Sequence, residues 1–315
     1  MDTKAKKNRP AAGLGIESGF TALRRPTVHV QEPIEDDVGG LPASERLKLG
    51  RMVETNGASS LERVEGFDAY VARNRGLFPE APLPPTPIVA QSGFALENVI
   101  GRDERVSVGD TTRLPWRAIA MLTITYENGQ RALGTAWFLG PSALGTAGHN
   151  VRHPQKGKAT EILVSPGYDG VTAPFGTFAV TRTYCDPAWL AGSGDAALDF
   201  GVLLMDDATI GARLGWFGLA SYTDAQLVPL LVNVSGYPID RSPRTQYFNG
   251  GRVEQVNPQF LLYEFDTEGG MSGSPIFALF GDKRVVVGIH TYGSDRVNRA
   301  RRIDDVLFDT LIRFI

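Results

Sequence analysis

Glu268-Gly269-Gly270-Met271-Ser272-Gly273-Ser274-Pro275 is the stretch from which the rest of this 315-residue chain can be read. A serine set among glycines can stand on a tight turn with its hydroxyl exposed and neighbouring N–H groups free. A nucleophile beside an oxyanion hole needs that arrangement. Ser272 is therefore the candidate nucleophile, with the N–H groups of Gly270 and Ser272 as candidate oxyanion donors. Far upstream, Thr146-Ala147-Gly148-His149-Asn150-Val151 puts a histidine on a small-residue turn after an apolar strand. Asp199 falls between the two, in Ala197-Leu198-Asp199-Phe200-Gly201-Val202. His149 suits a general base that later protonates a leaving amine, and Asp199 suits the carboxylate that fixes the base's tautomer. Each motif alone is weak. Together, in this order, they are strong.

Each assignment has a rival. Asp195 lies four residues before Asp199 in a Gly-Ser-Gly loop, but Asp199 opens an apolar strand whose packing can hold a buried carboxylate still. His153 sits in a polar Arg-His-Pro loop without apolar support, which favours His149 as the base. The four histidines are His29, His149, His153 and His290, and they form no metal-ligand spacing, so no cofactor is expected. Cys185 is the only cysteine; it lies outside every motif and reads as structural.

Composition narrows the setting. Hydrophobic content of 42% and charged content of 21% are those of an ordinary globular chain with ample core. A net charge of −3 gives no reason to expect nucleic acid as a partner. Lys4, Lys6, Lys7 and Arg9 read as a solvated tail. No segment reaches the roughly 18 apolar residues of a membrane span, so no membrane partner is expected. The first residues lack the apolar run of a secretory signal, and one cysteine allows no internal disulfide. A cytoplasmic location is expected, with export by an unconventional route as the alternative.

Along the chain, residues 1 to about 30 read as disordered. Helical patterns follow around Leu47–Met52 and Leu61–Val71, then a linker, Leu77–Pro87, whose five prolines favour a stiff extended spacer. From Val99 the texture changes to short apolar strands between turns. Ala118–Tyr126 alternates and ends at Asn128-Gly129, a strong hairpin signal. Thr135–Leu139, Ile162–Val164, Phe200–Met205, Leu230–Ser235, Phe260–Phe265 and Arg284–Thr291 are further strands. The pattern predicts a mainly β barrel or sandwich closed by a helix carrying Ile303, Val306, Leu307, Leu311 and Phe314.

The order His, Asp, Ser is that of the chymotrypsin-like serine proteases and differs from subtilisins and α/β-hydrolases. Residues 99–315 resemble one branch of them, the bacterial glutamyl endopeptidases. The matching pieces are Val99-Ile100-Gly101-Arg102-Asp103-Glu104-Arg105 and Gly134-Thr135-Ala136-Trp137-Phe138-Leu139-Gly140-Pro141 leading to His149. Later come Gly236-Tyr237-Pro238, Asp266 to Pro275 and Gly288-Ile289-His290. The resemblance implies a chymotrypsin-like double β-barrel acting on protein or peptide substrates, cleaving after glutamate and less readily after aspartate. It implies that Thr267 and His290 contact the substrate carboxylate, although a lone histidine on a strand is more often a satisfied core residue. It also implies that a free amine at Val99 assists. Residues 1–98 are then a pro-segment or a regulatory arm, and an activating protease becomes a further partner. Two departures stand out. Asn150 replaces the cysteine that often follows the histidine in disulfide-bonded relatives, and Met271 leaves no carboxylate before Ser272 to pair with a new terminus. A protease of other specificity and an inactive binding protein on the same fold are the alternatives.

Overall fold

Ile119–Tyr126 buries Ala120, Leu122, Ile124 and Tyr126 on one face and pairs antiparallel on both flanks, with Arg131–Phe138 and Gly157–Pro166. Alternation of this kind suits a strand with one face on a core. The computed structural model describes residues 19–23, 59–64, 99–100, 103–241, 244–294 and 296–315. These hold two nine-stranded sheets, the first built from strands between residues 20 and 204 and the second from strands between residues 218 and 302 with Val106–Ser107 added at its edge.

In the first sheet the strands run Phe20–Ala22, Arg182–Cys185, Gly201–Leu204, Ala143–Thr146, Arg131–Phe138, Ile119–Tyr126, Gly157–Pro166 and Arg152–His153, with Phe178–Ala179 also on Gly157–Pro166. The second runs Gln255–Val256, Phe260–Tyr263, Asn298–Arg302, Lys283–Tyr292, Pro275–Phe280, Leu231–Gly236, Tyr247–Arg252 and Val106–Ser107. Pairing is antiparallel except where Gly218–Leu219 runs parallel to Lys283–Tyr292. Every expected strand is present within a few residues. The Asn128-Gly129 turn closes the first hairpin, with Gly129 at φ +77°.

The unforeseen strands lack an alternating signal. Tyr247–Arg252 contains Asn249-Gly250-Gly251, which reads as a turn, yet a Cβ at Gly250 would meet Leu61 Cδ2 and Val232 O, both at 2.9 Å. The glycine makes room for a segment from the other end of the chain. Asp305–Leu311 forms the expected terminal helix, capped by Asp304, whose carboxylate accepts the Leu307 N–H at 2.9 Å. Its Leu307 and Leu311 join the first core with Trp137, Phe138 and Leu203. A second core gathers Val232, Val234, Tyr263, Ile276 and Val287.

Two pieces of the N-terminal region pack on this body. Phe20–Ala22 is a strand, which corrects the expectation of disorder through residue 30 at that point. Three residues are too few to show periodicity; the edge of Arg182–Cys185 supplies the order, and the Phe20 ring lies edge-on to Tyr184. Residues 59–64 cross the second sheet: Ser60 N–H donates to Leu279 O, and Glu62 N–H to Asn233 Oδ1. The Glu62 carboxylate takes two bonds from Arg284, at 2.5 and 3.0 Å. Leu61–Val64 is not helical. The rest of that expected helix, the one at Leu47–Met52, and the linker Leu77–Pro87 lie outside the described residues.

Candidate active site

His149 is the second residue of a single helical turn, Gly148–Val151, that follows the strand Ala143–Thr146. Asp199 ends a short 3-10 turn, Ala196–Leu198, at φ −77° and ψ 65°, with Phe200 N–H donating to Leu198 O at 2.8 Å. That is an inverse γ-turn, and it aims the carboxylate sideways at the start of an apolar strand. Asp199 then meets His149 twice. Its Oδ1 accepts the His149 backbone N–H at 2.8 Å, and Nδ1 of the ring lies 2.9 Å from Oδ2. Nδ1–H facing the carboxylate leaves Nε2 as the acceptor a general base needs. Gly148 permits the approach, because a Cβ there would sit 2.9 Å from Phe200 N and 3.1 Å from Asp199 Cα. Tyr126 Oη donates to His149 O at 2.9 Å, and burial, then the charge of Asp199, raises the Tyr126 phenol.

The rivals are placed otherwise. Asp195 is exposed and caps the 3-10 turn by accepting Ala197 N–H at 2.9 Å. His153 lies edge-on to His149 with ring centroids 6.4 Å apart. Burial, then the charges of Lys156 and His149, lowers its pKa to about 4. Cys185 is buried, and burial raises its thiol well above the ordinary range, the opposite of an activated nucleophile.

Ser272 stands half-buried between two glycines with positive φ, Gly270 and Gly273, both at +92°. A Cβ on Gly270 would run into Tyr237 O, and one on Gly273 into Thr135 O. Met271 N–H turns inward to Glu268 O at 2.9 Å, while its side chain is fully buried. The first sheet grips this loop directly. Thr135 N–H donates to Ser272 O at 2.9 Å, Thr135 Oγ1 to Gly270 O at 2.8 Å, and Asn150 Nδ2 to Ser272 O at 3.0 Å. His149, Asn150, Gly270 and Ser272 all line one cleft of about 850 Å³.

Thr267 and His290 are elsewhere. Both are fully buried, and neither lines that cleft. Tyr263 Oη lies 2.5 Å from His290 Nδ1, and His290 O accepts Gly273 N–H at 2.7 Å, so His290 backs the Ser272 turn. Val99 is half-buried. The next residue, Ile100, donates its N–H to Asp266 Oδ1 at 2.5 Å, and Glu104 N–H reaches Oδ2 at 2.8 Å. Asp266 therefore ties the Val99 segment to the residue before Thr267. Among residues given no role from sequence, both Asp266 and Thr135 lay inside quoted motifs, but nothing local showed that Thr135 would bond Ser272. Among the described residues no group of three or more His, Cys, Asp or Glu could hold a metal ion, and no helix is long and apolar enough to cross a membrane.

No family model matches the chain. A glutamyl endopeptidase of Bacillus licheniformis is 34% identical over 231 residues, covering 70% of each chain. A Bacillus subtilis protein named as an extracellular metalloprotease is 31% identical over 216 residues, covering 68% of each. Among solved structures, a Glu endopeptidase complexed with MPD superposes with TM-score 0.60 at 25% identity, over 69% of this chain and 98% of that one. The protease Anisep of Arthrobacter nicotinovorans, at 17% identity and TM-score 0.56, shares the fold.

Proposed function

The chain belongs to the glutamyl endopeptidase family, serine endopeptidases of chymotrypsin-like fold, and from that premise we propose that it cleaves after glutamate, less readily after aspartate. Ser272 attacks the carbonyl carbon as His149 takes its proton; His149 then protonates the leaving amine, and Asp199 holds and electrostatically supports the imidazolium. The N–H groups of Gly270 and Ser272 receive the oxyanion. Thr267 and His290 read the substrate carboxylate. The observation carrying this reading is the two-point hold of Asp199 on His149 in a cleft that Ser272 also lines.

A second reading, cleavage after another residue, draws on the burial of Thr267 and His290 away from the cleft. Residues 1–98 act as a pro-segment. Supporting this, Asp266 holds the Val99 segment beside Thr267. Latency then comes from the missing Val99 ammonium. As to location, the name of the Bacillus subtilis relative supports action outside the cell. A fluorophosphonate probe tests the chemistry. Attachment at Ser272, abolished in Ser272→Ala and weak in His149→Ala, is expected; attachment elsewhere contradicts it.

A further inference from the structure

Among the described residues, the cleft wall beyond His149 carries three cationic side chains, Arg131, Lys156 and Arg244, and no carboxylate. Arg131 opens the strand Arg131–Phe138, Lys156 follows Arg152–His153, and Arg244, which lines the same cleft, comes from the second half of the chain. Among the described residues none of the three is in an ion pair. Lys156 Nζ lies 5.5 Å from the Tyr126 ring centroid, which holds its ammonium against the wall. His153 is neutral at physiological pH, so two guanidiniums and one ammonium set the field there. Like charges with no counter-ion among the described residues of a concave site favour an anionic occupant and raise its local concentration.

The direction of the reaction identifies that occupant. His149 gives its proton to the leaving amine, so the polypeptide after the scissile bond departs on the His149 side of the cleft. Lys156 is on that side, over the Tyr126 ring whose hydroxyl donates to His149 O, and Arg131 pairs with Thr125, the neighbour of Tyr126. Thr267 and His290, the proposed readers of the residue before the bond, do not line the cleft. We infer that Arg131, Lys156 and Arg244 form a subsite for acidic side chains in the two or three residues following the scissile bond. The substrate class is then a polypeptide acidic on both sides of the cut. This rests on the endopeptidase reading above.

The test uses the full chain and quenched peptides that share glutamate before the bond and differ only in the next three residues: acidic, neutral amide or basic. Three partly exposed ion contacts together amount to roughly a tenfold preference in kcat/KM for the acidic over the neutral peptide at low salt. The preference shrinks as ionic strength rises. The Arg131→Gln, Lys156→Gln, Arg244→Gln triple variant should bring the ratio near one, and Arg131→Glu with Arg244→Glu should invert it toward the basic peptide. Equal rates on acidic and neutral peptides in the unmodified chain overturn the subsite. Failure of both the full chain and the chain begun at Val99 to cut any peptide overturns the endopeptidase reading instead. Anisotropy of the same labelled peptides on Ser272→Ala then decides the subsite alone: tighter, salt-sensitive binding of the acidic peptide supports it, and equal binding overturns it.

Discussion

The side-chain amide of Asn150 donates to the backbone carbonyl of Ser272 at 3.0 Å, so the residue adjoining the proposed base holds the residue bearing the proposed nucleophile. The same nitrogen donates to Thr146 Oγ1 at 2.9 Å, on the strand leading to His149. Next to the proposed base this chain sets a buried amide that ties the Ser272 turn to the first sheet.

Asn150→Ala should therefore weaken both activity and stability. Loss of buried hydrogen bonds costs about 1–3 kcal/mol, and a loosened Ser272 turn should lower kcat by about 10²-fold, with KM little changed. Thermal unfolding and steady-state kinetics check this. An unaltered kcat would show that Thr135 alone holds the turn.

Asp199→Asn should lower turnover by up to about 10⁴-fold, the scale for a base left in the wrong tautomer. Asp195→Asn should be nearly silent in kcat, because that exposed carboxylate only caps a 3-10 turn. The reverse pattern in the two variants would reassign the acid.

His290→Ala should raise the barrier for glutamate substrates by roughly 1.5–3 kcal/mol, the worth of a charge-assisted bond, and leave uncharged substrates much less affected. Tyr263→Phe should act in the same direction but more weakly, since Tyr263 Oη orients the His290 ring. Equal losses on both substrate types would mean that His290 serves only the packing behind Ser272.

Glu104 gives a pH signature. Burial, then the charge of Asp266, raises its pKa from 4.5 to about 7. Between those values the folded chain binds more protons than the unfolded one, so this group favours folding at low pH. That contribution is lost as pH rises through the window. Glu104→Gln should raise Tm at pH 8 relative to the unmodified chain and make little difference near pH 4.5. A Tm difference independent of pH would contradict the assignment.

Latency makes its own prediction. The full chain should be weakly active and a chain beginning at Val99 much more active on a short glutamate peptide. A start at Asn98 should fall between them, because the ammonium is displaced by one residue. Asp266→Asn should blunt the gain, since Asp266 holds the following residue, Ile100. Equal activity of full and processed chains would make residues 1–98 an arm rather than an inhibitor.

The sequence disclosed much of this because the proposed chemistry needs residue types that cannot be disguised. Gly270 and Gly273 must be glycine for φ of +92°, and Asp199 must open a strand to be both buried and fixed. The Asn128-Gly129 turn and the alternation in Ile119–Tyr126 read directly as a hairpin. What stayed hidden depends on distant partners. Phe20–Ala22 is ordered by the edge of Arg182–Cys185, Gly250 by Leu61, and the Thr135 bond to Ser272 by the meeting of the two sheets. No local pattern encodes such contacts. The cations Arg131, Lys156 and Arg244 are likewise scattered in sequence and converge only around the cleft.

Mass-spectrometric profiling of a peptide library, digested in parallel by the chain begun at Val99 and by its Ser272→Ala variant, puts nucleophile and specificity in one measurement. Cleavage after glutamate, less after aspartate, and none in the variant is the predicted result. Cleavage mainly after arginine, lysine or leucine, or an identical profile in Ser272→Ala, would contradict it.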